Sequence, residues 1–404
     1  MFRLTVVGGT FLLPLFLWYA HFSVVNTNKK SKKAALGMKK SHQWDQVLLF
    51  ALALFLGVGG LALSLFPAAR FSEKENRNLA EFPALTTAGL ADGSYTAALD
   101  TYAAERFPGR LTLRGARALY QLSQGRYEVG GVLLCTDGSL CKRMTVNERA
   151  YGQNLSALQK LCNRYGEKLT IAIAPRRIDA RTEVLPALYD QSENSGAWEG
   201  LSTALPDAVT FPNLTADAHW YRTDHHWSTA GAYAAYCALG EHLGYTPYSK
   251  ESFTIETVSE SFSGTSDAAA GIPFIAPDHI ELYRYEGDAD FTVRKGKNPA
   301  PFTGFYDFER LATRDQYSVF LGGNCGVLEI TEASDRPTLL VIKDSFANAL
   351  LPFLARHFNI VAVDPRYTDE DIEAYAENAD RVLVLCNMQT ITESAVFKTL
   401  ISEH

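Results

Sequence analysis

The chain predicts an α/β fold, a parallel sheet with helices on both faces, preceded by one or two N-terminal transmembrane helices. Three observations carry that prediction. From about residue 130 onward, apolar runs of strand length recur between stretches of helical spacing. Residues 338–400 read strand, helix, strand, helix, strand, helix with short connections, and two long apolar runs precede residue 67. Buried strands that alternate with helices need cover on both sheet faces, the solution parallel sheets adopt. The short connections suit right-handed crossovers.

The membrane elements come first. The apolar runs are Leu4 to Val25 and Val47 to Phe66. The second carries no charge over about 20 residues, the length that crosses a hydrocarbon core. It is too long for the apolar region of a cleaved signal peptide, so a retained anchor is expected. The first is interrupted by Pro14, Trp18, Tyr19 and His21. Between them lie Lys29, Lys30, Lys32, Lys33, Lys39 and Lys40. The positive-inside bias places this loop in the cytoplasm and everything after Phe66 outside the cell membrane. A start at Met38 would keep the second anchor and the same orientation, making residues 1–37 an annotation artefact.

Residues 1–68 are thus read as the anchor region and 69–129 as a juxtamembrane stalk with helices, broken at Pro108-Gly109. Residues 130–404 are read as the catalytic domain. Its expected strands are Val132–Leu134, Leu169–Ala174, Ala208–Phe211, Thr338–Ile342, Ile360–Val363 and Arg381–Leu385. Helical spacing covers Glu148–Tyr165, Thr229–Leu243, Phe346–His357 and Asp369–Asn378. About 251–336 is less regular, rich in Gly, Ser and Thr and later in aromatics, and reads as a loop-rich insertion that shapes a cleft.

With 47% hydrophobic residues in 404, the chain can bury an enzyme-sized core. With a net charge of −7 and six of the lysines in one short stretch, nothing in the chain points to nucleic acid as a partner. The six cysteines lack metal spacing. Cys135 and Cys141 flank the turn-like Thr136-Asp137-Gly138-Ser139 and are candidates for a hairpin disulfide; the other four are expected to be free.

Two segments point to chemistry. Ser345 follows the apolar strand 338–342 and precedes a helix, so its hydroxyl is expected at the carboxyl end of a sheet strand, where open α/β sheets place their sites. Amides at the helix start, Phe346 first, would face a developing oxyanion. The bland alternative is that Ser345 or Asp344 caps the helix. In Thr223-Asp224-His225-His226-Trp227, residues two apart share a side in an extended segment, so Asp224 can orient His226 while the other ring nitrogen faces a serine. His225 is expected to point away from His226 in a structural role. Adjacent histidines suit a single ion poorly, and no metal or cofactor is expected. Arg222, Trp227, Tyr317, Gly323 and Asn324 are further candidates for oxyanion or substrate contacts: Arg222 to grip a charge, the aromatics to stack on sugar rings, and Gly322-Gly323-Asn324 to allow close approach and supply an amide.

Tyr221-Arg222-Thr223-Asp224-His225-His226-Trp227, Gln316 to Asn324, and Lys343-Asp344-Ser345-Phe346 together resemble the DHHW proteins, relatives of the AlgX and AlgJ alginate O-acetyltransferases. The likeness spans roughly residues 70–404. It implies an SGNH-hydrolase-like fold with Asp224 as orienter, His226 as base and Ser345 as nucleophile, in the reverse of the usual chain order. Lys343 stands where typical SGNH enzymes carry a glycine before Asp-Ser. The resemblance also implies a membrane-bound O-acyltransferase as acetyl donor and a polysaccharide acceptor. A carbohydrate acetyl esterase with the same triad and a non-catalytic cell-envelope scaffold are the competing readings.

Overall fold

The structure is a computed structural model that describes residues 44–55, 57–58, 70–75, 77–107, 109–296, 300–332, 335–368, 370 and 372–397. The expected span 4–25, the lysine loop up to residue 43 and residues 56 and 59–66 of the expected second span lie outside them. Residues 44–55 are helical, with Val47, Leu48, Leu49, Phe50, Leu54 and Phe55 exposed. Among the described residues no helix is long and apolar enough to cross a membrane.

The strands, in chain order, are β1 (Phe71–Ser72), β2 (Arg77–Asn78), β3 (Glu128–Val129), β4 (Val132–Leu134), β5 (Leu140–Lys142), β6 (Leu169–Ala174), β7 (Thr254–Phe262), β8 (Asp278–Arg284), β9 (Thr292–Lys295), β10 (Phe302–Thr303), β11 (Val327–Thr331), β12 (Thr338–Lys343), β13 (Asn359–Val363) and β14 (Arg381–Asn387). Two compact units are distinguished among the described residues: those up to 72 with 77–116, and 73–75 with those from 117 to 397. The smaller holds the antiparallel pair β1–β2 and the helices Thr87–Asp92 and Ser94–Arg106. Thr86 caps the first of these by accepting from the Gly89 amide at 3.0 Å.

In the larger unit a seven-stranded sheet runs β10-β9-β11-β13-β12-β14-β6. Its core is parallel: β12 pairs with β13 and β14, and β14 with β6. Successive side chains of β12 alternate between two cores. Leu339 and Val341 pack with Ala235, Leu239 and Leu350, whereas Leu340 and Ile342 pack with Leu158, Leu161 and Ile391. The helices Thr229–Leu243 and Ala347–Leu354 therefore cover one face, and Glu148–Tyr165 and Met388–Glu393 the other. Burial on both faces is why β12 and β14 read as unbroken apolar runs.

Three expectations need correction. The sheet is mixed, because β11 runs antiparallel to β13 and to β9, and β9 antiparallel to β10. Strands β9, β10 and β11, and the β7–β8 pair, come from the segment read as loops. Such antiparallel strands mix polar and apolar residues, as in Val327-Leu-Glu-Ile-Thr331, and so lack the continuous apolar signal of the buried parallel strands. Ala208–Phe211 forms only a single bridge, Val209 to Ala172, beside β6. Cys135 and Cys141 are free buried thiols. The hairpin register sets Cys141 opposite Leu133, two residues before Cys135, so the pair is diagonal rather than facing.

Candidate active site

Residues 220–227 form a tight loop closed by a Trp220–Trp227 bridge, and Ser228 then caps the Thr229–Leu243 helix. Asp278 at the start of β8 anchors this loop. Its carboxylate accepts the Arg222 amide at 2.9 Å, the Thr223 amide at 2.8 Å and the Thr223 hydroxyl at 2.6 Å. Burial nevertheless pushes the Asp278 carboxyl up from its ordinary range. The Trp227 indole donates to the Phe346 carbonyl at 2.8 Å and ties the loop to the turn after β12.

That turn carries Ser345, 7% exposed. Asp344 holds it in shape. One carboxylate oxygen accepts the Phe346 amide at 2.9 Å, and the other accepts the Asn387 amide, the Asn387 side chain and the Thr390 hydroxyl, each at 2.7 Å. Asn387 ends β14, so neighbouring parallel strands jointly fix the serine turn.

The two segments meet. His226 Nε2 lies 2.7 Å from Ser345 Oγ, and His226 Nδ1 lies 2.5 Å from Asp224 Oδ1. Asp224 Oδ1 also accepts the His226 amide at 3.0 Å, while Oδ2 accepts the Thr265 amide at 2.7 Å and the Thr265 hydroxyl at 2.8 Å. Burial alone would raise the Asp224 carboxyl; the His226 and His225 rings and the bonds from His226 and Thr265 override it and hold the group far below the ordinary range. Gly264 makes room for this carboxylate. A Cβ there would stand 2.3 Å from Asp224 Cβ and 2.5 Å from Oδ2.

Tyr317 completes the support. Its ring stacks on His226, centroids 3.9 Å apart and planes 9° apart, and its hydroxyl donates to the Ser345 carbonyl at 3.2 Å. Burial pushes the phenol well above its usual value, so it remains a donor. The serine opens into a cavity of about 660 Å³ whose wall includes His225, Thr265, Arg366, Asn387, Thr390 and Lys142. Arg366 is clamped bidentately by buried Asp364, through Nε at 2.9 Å and Nη2 at 2.7 Å.

The remaining sequence candidates sit elsewhere or act differently. The Phe346 amide is spent on Asp344 and does not face the cavity as a free donor. Trp227 and Tyr317 are buried, so neither offers a face to a sugar. Arg222 reaches the Asp137 carbonyl and pairs with Asp217, away from the serine. Lys295 binds the Gly323 carbonyl at 3.2 Å, and Asn324 accepts from Asn348 at 2.9 Å. His225 does not point away from His226: the rings lie 3.9 Å apart, tilted by 36°. Gly264, Thr265, Asp278, Arg366, Asn387 and Thr390 were not singled out from sequence. For Gly264 and Thr265 the only available signal was the Gly/Ser/Thr-rich composition around them.

Asp224, His225 and His226 could bring three ligand atoms within 4.8 Å of one another. Both Asp224 oxygens and His226 Nδ1 are already engaged in hydrogen bonds, which argues for a proton-transfer chain over an ion cage. The Ser345 amide has no acceptor among the described residues. Such an arrangement can remove a serine proton and stabilise charge beside it.

Fold and site together define an α/β protein with a serine–histidine–aspartate chain at the carboxyl end of a parallel strand. The resemblance to DHHW proteins holds by direct comparison. Residues 214–364 match the family model described as DHHW protein, and residues 134–278 the one described as SGNH hydrolase-like domain, acetyltransferase AlgX. Among solved structures, a DHHW family protein from Eubacterium siraeum DSM 15702 aligns at 20% identity over 67% of this chain and 95% of that one, with a TM-score of 0.57. Bacillus cereus PatB1 aligns at 18% identity over 66% and 99%, TM-score 0.55. The same protein with a sulfonyl adduct gives 19%, 66%, 99% and 0.54. These structures establish the fold. None of the curated proteins matches.

Proposed function

We propose that the chain is an O-acetyltransferase that passes acetyl groups to polysaccharide hydroxyls through an acetyl-Ser345 intermediate. The observation that carries this reading is the unbroken path from Asp224 Oδ1 through His226 to Ser345 Oγ, 2.5 Å and 2.7 Å, at a cavity. The match of residues 134–278 to an acetyltransferase domain model supports the choice of acyl group.

In the first half-reaction Ser345 Oγ attacks the donor's acetyl carbonyl while its proton passes to His226 Nε2. The Asp224 carboxylate holds the Nδ1 proton and stabilises the imidazolium. The Ser345 amide donates to the tetrahedral oxyanion. Collapse breaks the bond to the leaving group, which takes the proton from His226. In the second half-reaction His226 accepts the proton of a sugar hydroxyl as its oxygen attacks the acetyl-serine. Collapse then transfers the ester and returns the proton to Ser345.

The apolar run 47–66 and the lysines before it favour a membrane-anchored protein with this site outside the cytoplasm. A membrane-bound O-acyltransferase would then supply the acetyl group. The test uses the full-length protein with p-nitrophenyl acetate and a panel of polysaccharides, following ester on polymer and free acetate. Acetylated polymer that requires Ser345 supports the transferase; free acetate alone, at the same rate with and without polymer, identifies an esterase. Neither product identifies a non-catalytic protein.

A further inference from the structure

His225 is not used in that mechanism, yet it lines the same cavity as Ser345 and retains 23% side-chain exposure. The hydrogen bonds around it fix which nitrogen carries its proton. Thr265 Oγ1 lies 2.8 Å from Asp224 Oδ2 and 2.6 Å from His225 Nδ1. The hydroxyl has one proton and the carboxylate can only accept, so that proton must point at Asp224 to avoid opposing lone pairs. The Thr265 oxygen is then an acceptor toward His225, which places the imidazole proton on Nδ1. Asp224 Oδ1, 3.7 Å from the same nitrogen, favours that placement further. Nε2 is left as a bare acceptor on a ring that forms part of the cavity wall. Burial, with the neighbouring His226, drives His225 down to about 3, so the ring stays neutral and its Nε2 lone pair stays available at physiological pH.

An acceptor-only nitrogen beside the base selects a ligand that brings a second donor. His225 and His226 lie with centroids 3.9 Å apart, a spacing suited to groups on adjacent carbons. Resting on the transferase reading above, we propose that His225 is a specificity-determining residue that accepts a hydrogen bond from the hydroxyl next to the one being acylated, so that the acceptor is a vicinal diol. His226 then takes the proton of the reacting hydroxyl while His225 holds its neighbour and sets the approach to the acetyl-serine.

The test measures how acetyl-enzyme formed from p-nitrophenyl acetate partitions between water and either cis-1,2-cyclohexanediol or cyclohexanol. The wild-type protein should favour the diol, per hydroxyl, by roughly three- to tenfold, the worth of one neutral hydrogen bond. In His225→Phe, which keeps a flat ring but loses the acceptor, the ratio should fall to about one; His225→Gln, with an amide oxygen, should recover part of it. A ratio unchanged in His225→Phe, or no diol preference in the wild type, overturns the proposal. Nitrogen-15 NMR of histidine-labelled wild-type protein decides independently of any variant's folding: the Nδ1–H tautomer is expected, and the Nε2–H tautomer contradicts the assignment. Absence of acetyl-Ser345 in the wild type is a separate readout, and it overturns the transferase reading together with this one.

Discussion

Tyr317 lies flat against His226, ring planes 9° apart, and the same side chain hydrogen-bonds the Ser345 carbonyl through its hydroxyl. One residue from the 316–319 turn thus fixes both the orientation of the His226 ring and the position of Ser345. An aromatic face confines the imidazole to the plane in which its two nitrogens reach Asp224 and Ser345. The contact is worth about 0.5–1.5 kcal/mol beyond its buried area.

Replacing Tyr317 separates these two roles. Tyr317→Phe keeps the stack and loses only the bond to the Ser345 carbonyl, so the acylation rate should fall by about threefold, near the worth of one neutral hydrogen bond. Tyr317→Leu loses both and should slow acylation by roughly tenfold or more. Stopped-flow release of p-nitrophenol reads both variants.

Gly264 is held to its identity by the space it leaves. Its backbone is not in the left-handed region, so the cost of Gly264→Ala comes from the clash with Asp224 alone. Urea unfolding should lose about 1–3 kcal/mol. Acylation should fall as well, because the displaced carboxylate is the one that orients His226.

Asp344→Asn tests the serine turn. The oxygen that now accepts from the Asn387 amide, the Asn387 side chain and Thr390 would be opposed by an amide donor in one rotamer, and the Phe346 amide in the other. Stability should drop by about 1–3 kcal/mol. Thermal unfolding read beside the acylation rate should register both losses.

The pH dependence of stability follows from histidines held neutral. Burial lowers His357, hydrogen-bonded to Tyr236 at 2.8 Å, to about 4, and burial with its neighbour lowers His225 to about 3. In the unfolded chain both titrate near 6.5. Below that value the unfolded state binds more protons, so their contribution is complete above pH 6.5 and is lost as pH falls toward 4 and then 3. The melting temperature should therefore drop between pH 6.5 and pH 4. The drop should be smaller in His357→Gln.

Much of this site was legible because its parts are local. Asp224 and His226 stand two residues apart, and Ser345 follows an apolar strand whose burial is written in consecutive residues. The elements that steady the site are not local. Asp278, Thr265 and Asn387 act from 54, 41 and 43 residues away from Asp224, Asp224 and Asp344 respectively, and no spacing rule links them. The strands β9, β10 and β11 were missed for a related reason, since a short antiparallel strand with one polar face resembles a loop until its partner is known. Trp227 and Tyr317 were assigned to substrate contact because an aromatic side chain does not declare in sequence whether its face is covered.

The central claim is that Ser345 becomes acylated through His226 and Asp224. Its most direct measurement is intact-mass and peptide mapping of the full-length protein after brief exposure to p-nitrophenyl acetate. One acetyl group on Ser345 is expected in the wild type, none in Ser345→Ala, and formation slowed about 10⁴-fold in Asp224→Asn. An unmodified wild-type Ser345, or acetylation that proceeds unchanged when Asp224 or His226 is replaced, would contradict it.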